Sequence, residues 1–579
     1  MKPFYSIFAL LFVPSFLCAQ YYLRGDIKDE KNQPVSNAKI ILHSTGYTYY
    51  SGDEGGFGIM SRLSPDSLTL LKDGFQPSGV RIENNKYKSI ILLPLRNGAG
   101  AQKTRLSSFI KNMKIEERTN WPTGGETYST LLENECISTS RFPETGLAIN
   151  IDKASYSNIR RFIKMNSTVP PDAVRIEEML NYFNFSYKAP SKDSVFGLDS
   201  YLTGCPWEKN NQLLFLKLCA RQLDTETVSP SNLVFLIDVS GSMDMPNRLP
   251  LLKSAFKLMV KNLREKDTVS LVVYGSSVGV RLQPTSGREK LKIEQAIEEL
   301  EPGGATAGAS GIAMAYALAK SKFIPGGNNR VILATDGDFN IGQTSEDELG
   351  KLITQYRQLG IYLTCLGVGM GNYKDSKLEM LAKKGNGNFA YLDNEREAEK
   401  VLVKELTQTL FSVADDAYLD IMFNPAVVEQ YRLIGFDNKL NAVSDSLSEL
   451  EGGEVGSGHT LLAIMEIVPV AGHTGAVKDP LAQIRLQFKN PQTKTPHALQ
   501  YTCAPLFTEF NQLENCYRFA ASVVMFGSLL KKSKYTKGIS WIDMITLATA
   551  SYDAKDPVQK EFIELLEKAK KMYQKRKKD

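Results

Sequence analysis

The sequence has few histidines and little net charge. Only 4 histidines occur among 579 residues, and none of them has the spacing of a His-x₃-His pair of zinc ligands. We therefore do not expect a zinc site. The formal net charge of +5 is small for so long a chain and gives no sign of a nucleic-acid partner. At about 150 residues per domain, the length predicts roughly three or four domains.

Beyond its first residues, the chain has no apolar run approaching the roughly 20 residues of a membrane-spanning helix. The first residues, MKPFYSIFALLFVPSFLCAQ, combine one lysine, a short apolar stretch and small residues before Gln20, as secretory signals do. We expect residues 1–19 to be removed and the protein to be exported to the periplasm, the outer membrane or the cell surface. Lipidation of Cys18 is the alternative, but Leu17 stands where lipoprotein signals have a small residue.

Six cysteines remain after the predicted signal. An even number in an oxidising compartment permits disulfides, and the sequence leaves the pairing open. Cys219 and Cys365 lie in apolar, strand-like runs, which favours buried thiols instead. The six are Cys136, Cys205, Cys219, Cys365, Cys503 and Cys516.

Residues 20–96 consist of short strand-like runs separated by Gly, Asn and Pro turns. They resemble the carboxypeptidase regulatory-like domain, an all-β, immunoglobulin-like sandwich. The matching residues are Gly25, Ile27, Asp29, Pro34, Val35, Ala38, Ile40, Asp53, Gly56, Phe57, Ile59, Leu68, Gly74 and Phe75. Arg24, Gly25 and Asp26 spell an adhesion tripeptide, but the family pattern itself requires the glycine. The polar residues 97–125 are predicted to be a linker.

Residues 228–412 show apolar strands alternating with amphipathic helices. The predicted strands are 233–237, 269–274, 278–282, 331–334, 362–368 and 389–392. The predicted helices lie near 248–263, 288–300, 308–321, 345–358, 377–384 and 395–411. This alternation predicts a doubly wound, Rossmann-like α/β domain that binds ligands beyond the carboxyl ends of its strands.

Five oxygen-bearing side chains stand at that predicted edge. Asp238, Ser240 and Ser242 follow the first strand, Thr306 precedes a helix, and Asp336 follows the fourth strand. In this order they resemble the metal-ion-dependent adhesion site (MIDAS) of von Willebrand factor type A (VWA) domains. Hydroxyl and carboxylate oxygens are the ligands that Mg²⁺ prefers. We therefore expect one Mg²⁺, with Mn²⁺ or Ca²⁺ as alternatives.

The resemblance also implies a role for each residue. Ser240 and Ser242 would coordinate directly, Thr306 directly or through water, and the two aspartates mainly through water. Neutral hydroxyls leave the cation electrophilic, so its vacant position would take a carboxylate from a protein partner. Asp338 is either an outer ligand or an ordinary solvated carboxylate.

The flanks of this domain, residues 126–227 and 413–579, resemble conserved regions of a family of exported bacterial VWA proteins. The matches in the first flank are Asp152, 154–156, 160–162, 170–171, 173–175, 177–178, 181–183 and 205–207. In the second flank the stretches 423–439 and 452–467 resemble the C-terminal region of the same family.

Apolar strands are predicted on both sides of the VWA domain, and neither set is complete alone. One, 213–219, precedes the domain, and four follow it at 418–423, 431–436, 460–467 and 482–488. A single strand cannot bury its apolar face, and the later strands would leave an open edge. We predict that the two flanks pair into one β-sandwich or α+β domain in which the VWA domain is inserted. Helices near 514–531, 541–552 and 558–575 would pack against it.

Three classes of function follow from these features. The first is a metal-dependent, adhesion-type module that binds proteins and is not an enzyme. The second is a structural or assembly protein of the cell envelope, in which the cation stabilises the fold. The third is a hydrolase, since Gly275 to Gly279 fit G-x-S-x-G around Ser277. That motif requires a helix directly after the serine, whereas a strand-like segment ending in Pro284 follows here, which argues against the hydrolase.

Overall fold

The computed structural model describes most of the chain and divides it into two units. It describes residues 21–94, 105–107, 126–405, 411–439, 453–471 and 479–575, with gaps at 31, 46, 53, 62, 73, 85, 129–130, 150–151, 186, 192–193, 225, 276, 304–307, 338–345, 371–372 and 437. The two compact units are Met1–Gln102 and Lys103–Asp579. The predicted signal and Cys18 lie outside the described residues.

The first unit is a sandwich of two β-sheets. Its strands are β1 (Tyr21–Asp29), β2 (Lys39–Leu42), β3 (Thr48–Tyr50), β4 (Gly56–Ser61), β5 (Asp66–Leu71), β6 (Ser78–Ile82) and β7 (Tyr87–Leu92). One sheet has the order β4-β1-β7 and the other β3-β2-β5-β6. Leu23 and Ile90 of the first sheet share a core with Ile40 and Leu70 of the second. The predicted all-β region is confirmed, whereas its membership of the regulatory-like family stays a prediction.

The second unit contains strands β8 to β26. They are β8 (Arg105–Ser107), β9 (Leu131–Leu132), β10 (Ile137–Ser138), β11 (Glu144–Ala148), β12 (Phe196–Gly204), β13 (Gln212–Ala220), β14 (Ser231–Asp238), β15 (Thr268–Tyr274), β16 (Gly279–Ser286), β17 (Asn328–Thr335), β18 (Ile361–Val368), β19 (Phe389–Leu392), β20 (Ser412–Phe423), β21 (Val428–Ile434), β22 (Asn438–Lys439), β23 (Gly453–Gly456), β24 (Thr460–Pro469), β25 (Ala482–Lys489) and β26 (Pro496–Cys503).

The helices belong to this unit as well. They are α1 (Ala154–Lys164), α2 (Ile176–Tyr182), α3 (Leu249–Lys261), α4 (Lys290–Glu298), α5 (Gly308–Ser321), α6 (Glu346–Gln358), α7 (Asp375–Lys384), α8 (Glu395–Glu399), α9 (Asn515–Lys531), α10 (Trp541–Ser551) and α11 (Pro557–Lys575). None of these described helices has the length and apolar character needed to cross a bilayer.

The segment from β14 to α8 is a doubly wound α/β domain, which we name the inserted domain. Its sheet has the order β16-β15-β14-β17-β18-β19, parallel except for β16. Helices α3, α4 and α8 cover one face of the sheet, and α5, α6 and α7 cover the other. In the central strand β14, Phe235 faces the first helical layer and Val234 and Leu236 face the second. Burial on both faces explains the unbroken apolar run of this strand, and the predicted fold is confirmed.

Strands from both sides of the inserted domain form a second sandwich, which we name the flanking domain. One sheet has the order β10-β21-β24-β13-β12 and the other β26-β25-β20-β11-β8, with a shared core between them. Strand β13, before the insertion, pairs antiparallel with β24, after it. Strand β11 pairs with β20 in the same way. The pairing across the insertion, expected from the sequence, is present.

Five helices cover the outer face of the sheet that contains β13 and β24. Leu213 and Phe215 of β13 and Leu462 and Ile464 of β24 share one core with α1, α2, α9, α10 and α11. The side chain of Ser540 caps α10 by accepting a hydrogen bond from the backbone N–H of Asp543. The flanking domain therefore has three layers: two sheets and a helical layer.

Buried ion pairs join the inserted domain to the flanking domain. Among the described residues they include Arg175–Asp375 at 2.7 Å, Arg330–Glu454 at 2.5 Å, Arg160–Glu397 at 2.7 Å and Arg160–Asp393. Removing one partner of such a pair leaves a buried charge uncompensated, at a cost of about 3–5 kcal/mol. The two domains thus meet through specific polar contacts.

The structure adds details that sequence patterns did not give. Strand β8 lies inside the predicted linker 97–125 and pairs with β11. The sequence did not predict it, because three residues are too few to show the alternation of apolar and polar residues typical of a strand. The edge strands β12 and β26 were not predicted either. All six cysteines in the described part of the chain are free thiols, and Cys219 and Cys365 are buried as expected.

The pairing across the insertion predicts how truncated chains behave. A chain of residues 20–412 keeps β13 but lacks β24, so Leu214, Leu216 and Leu218 lose their partners, and we expect it to aggregate. Residues 228–412 alone should stay soluble, because the surface that the flanking domain covers in the full chain includes the charged groups of Asp375 and Glu397. Size-exclusion chromatography of both fragments is the measurement. A monomeric, well-folded 20–412 fragment would show that the flanks do not depend on each other.

Candidate metal site

The candidate metal ligands lie at the carboxyl edge of the inserted domain's sheet. Asp238 is the last residue of β14, and Ser240 and Ser242 follow in a short turn. Asp336 follows directly after β17, the strand that pairs with β14. Parallel neighbours end at the same edge, so the fold brings these four residues together. Thr306 and Asp338 lie outside the described residues.

Asp238 is fully buried, and hydrogen bonds hold both of its carboxylate oxygens. Oδ1 accepts from the backbone N–H of Ser240 at 2.9 Å. Oδ2 accepts from the hydroxyls of Thr335 at 2.8 Å and Tyr274 at 3.2 Å. Burial raises the pKa of the Asp238 carboxyl, and the charge of nearby Asp336 raises it further. A cation in this place would therefore favour the ionised form of Asp238.

The two serine hydroxyls have the separation that an octahedral cation requires. Ser240 Oγ and Ser242 Oγ are 3.1 Å apart. Adjacent ligands of an octahedral Mg²⁺, at 2.0–2.1 Å from the metal, are about 3 Å apart. Ser240 is buried and Ser242 is exposed, so one side of the pair faces solvent. The donor set and its spacing fit a hard divalent cation.

Glycines bring the neighbouring loops close to this edge. Gly337, after Asp336, has a φ of +86°, and a Cβ there would meet the backbone N of Lys374 at 2.5 Å. Gly303, three residues before Thr306, donates its N–H to the carbonyl of Val239 at 2.7 Å. The chain leading to Thr306 thus approaches the end of β14.

Arg248, which the sequence did not single out, lies against Asp336. Its Nη1 is 2.8 Å from Asp336 Oδ2 and also donates to the carbonyl of Ser242. Its Nη2 donates to the carbonyl of Met370 at 2.8 Å. The residue stands just before α3, at the start of the helix predicted near 248–263. A sequence pattern gives no signal for it, because its partners are distant in the chain.

The serine of the G-x-S-x-G motif does not lie in a nucleophile elbow. Ser277 lies in the turn between the antiparallel strands β15 and β16, and no helix follows it. This geometry differs from a nucleophile elbow. In the part of the chain that the structure describes, no group of three His, Cys, Asp or Glu side chains is placed to hold a metal.

Three family models match successive parts of the chain. The model described as "von Willebrand factor" matches residues 122–215, and that of the "von Willebrand factor type A domain" matches residues 232–407. The model described as "Uncharacterized protein YfbK, C-terminal" matches residues 408–572. The second match corresponds to the inserted domain, and the other two to parts of the flanking domain.

The chain is also similar to individual proteins. "Uncharacterized protein YfbK" of Escherichia coli K12 is 34% identical over 472 residues, which cover 77% of this chain and 81% of that protein. Inter-alpha-trypsin inhibitor heavy chain H2 of Sus scrofa is 27% identical over 173 residues, 28% of this chain and 17% of that protein. The solved structure of von Willebrand factor type A from Catenulispora acidiphila aligns with a TM-score of 0.40 at 15% identity, covering 66% of this chain and 91% of that chain.

The contact between Thr335 and Asp238 predicts a stability effect. Thr335→Val removes the hydroxyl that donates to a buried carboxylate, which should destabilise the domain by about 1–3 kcal/mol. For a domain of this size, each kcal/mol lowers the melting temperature by roughly 2–4 °C. Scanning calorimetry in EDTA measures the shift, and Thr493→Val, at an exposed position, is the control. Equal melting temperatures for the two variants would mean that Thr335 does not support Asp238.

Proposed function

This chain belongs to the family of the Escherichia coli protein YfbK, and we propose that it is an exported protein-binding module with a cation-dependent site. VWA domains bind protein partners, so the coarser role as an interaction module follows from the family. The finer proposal is that Asp238, Ser240, Ser242, Thr306 and Asp336 hold one Mg²⁺. The bound cation would supply a vacant coordination position for a partner's carboxylate.

The spacing of the two serine hydroxyls carries this proposal. Their separation of 3.1 Å matches that of two adjacent corners of an octahedron. Because Ser242 is exposed, a vacant position on its side of the cation would be open to a partner. Asp238, held by three hydrogen bonds, would bind the cation through a water ligand. Mn²⁺ and Ca²⁺ are the alternative cations.

Export to the periplasm, outer membrane or cell surface forms part of the same proposal. It rests on the N-terminal pattern of one lysine, a short apolar stretch and small residues. The enzyme alternative has little support, because the candidate site contains no histidine and no evident general base.

Ser242→Ala tests the cation site with little risk to the fold, because the side chain is exposed. Isothermal titration calorimetry with MgCl₂ should show binding by the unaltered chain and at least about 10-fold weaker binding by the variant. Ser277→Ala, another exposed serine on the same domain, should bind as the unaltered chain does. Asp238→Ala should abolish binding, with circular dichroism to check folding, since it removes three hydrogen bonds. Unchanged affinity in Ser242→Ala would overturn the assignment.

The partner's carboxylate is tested by selecting displayed peptides on the immobilised chain in Mg²⁺ and eluting them with EDTA. We expect the eluted peptides to share an Asp or Glu, because a hard cation prefers a carboxylate oxygen. Replacing that residue by Asn or Gln in a synthetic peptide should abolish binding. Peptides that stay bound through the EDTA elution, and that tolerate the amide, would favour the alternative of an envelope assembly protein with a structural cation.

A further inference from the structure

The Arg248 guanidinium joins the three loops that surround the candidate metal site. It contacts the loop after β14 through the carbonyl of Ser242, the loop after β17 through Asp336, and the loop after β18 through the carbonyl of Met370. Its side chain is 13% exposed and that of Asp336 is 4% exposed. The contact is therefore a largely buried, charge-assisted one, stronger than a surface ion pair.

We propose that Arg248 is an intramolecular competitor of the divalent cation, holding Asp336 in the metal-free protein and releasing it when the cation binds. This inference rests on the proposed metal site. The metal ligands alone would not regulate cation binding. Arg248 would do so, because its positive charge pairs with the carboxylate of Asp336.

The charges of the site support competition. Asp238 and Asp336 contribute two negative charges, and Arg248 compensates one of them in the absence of metal. A divalent cation among the same oxygens adds two positive charges within a few ångströms of the guanidinium. In a partly buried site this repulsion is weakly screened. The cation and Arg248 therefore cannot both keep close contact with Asp336 without a cost in binding energy.

The Arg248 side chain packs closely against a glycine, and one of its N–H groups is unsatisfied within the residues that the structure describes. Gly369 has a φ of +78°, and a Cβ there would lie 2.5 Å from Arg248 Nε, so only glycine lets the side chain lie in this position. Nε is buried and has no hydrogen-bond acceptor in the described part of the chain. An arginine with one unsatisfied N–H loses less on leaving its place than a fully bonded one.

Calorimetric titration of the full chain with MgCl₂ tests the competition. Arg248→Gln removes the competing charge, and we expect the Kd for Mg²⁺ to fall by about 10-fold or more, the equivalent of one charge-assisted hydrogen bond. Arg248→Lys keeps the charge but cannot reach all three loops, so its Kd should lie between that of the unaltered chain and that of Arg248→Gln. The control is Arg288→Gln, which removes an exposed arginine paired with Glu265 and should leave the Kd unchanged.

Melting in EDTA gives a second readout that does not require metal. Arg248→Gln should melt at a lower temperature than the unaltered chain, because the contact between Arg248 and Asp336 is lost, and Mg²⁺ should reduce the difference. If Arg248→Gln does not fold, Arg248→Lys serves as the test. We expect its Kd for Mg²⁺ to be at least about 3-fold lower than that of the unaltered chain. An unchanged or higher Kd in the variants, with normal Mg²⁺ binding by the unaltered chain, overturns the competition and leaves the proposed function standing. Absence of Mg²⁺ binding in all chains overturns both.

Discussion

The antiparallel pairing of β13 with β24 is the interaction on which the rest of the second unit depends. It runs from the pair Gln212–Ile467 to the pair Cys219–Thr460 and places segments from either side of the inserted domain next to each other. The inserted domain must therefore begin and end close together, as the ends of compact domains often do. The same pairing builds the surface on which both the second sheet and the helical layer pack.

The flanking domain also contacts the inserted domain near the candidate metal site. A Cβ on Gly337, next to Asp336, would meet the backbone of Lys374. The following residue, Asp375, accepts hydrogen bonds from Arg175 at 2.7 Å and Asn158 at 3.1 Å, both in the flanking domain. A short series of close contacts thus connects the loop after β17 to the flanking helices α1 and α2. Because these contacts are buried and polar, they fix the position of α7 closely.

The sequence predicted those features that depend on local patterns. Apolar periodicity located β14, β17 and β18 to within a few residues, and the D-x-S-x-S pattern after β14 predicted side chains that do lie together. The sequence did not predict the contacts of Arg248 and Thr335 at the candidate site, because their partners are distant in sequence. Arg248 meets Asp336 and Met370 at separations of 88 and 122 residues. Thr335 meets Asp238 at a separation of 97, and its own position is that of an ordinary strand residue.

The central claim is that the loops after β14 and β17 hold one divalent cation. A crystal structure of the chain grown with Mn²⁺ tests it most directly, because manganese gives an anomalous signal that locates the ion without assumptions about the ligands. We expect a single peak within about 2.2 Å of both Ser240 Oγ and Ser242 Oγ, on the side of Asp336. A crystal that contains Mn²⁺ elsewhere, with no peak between the two serines, would contradict it.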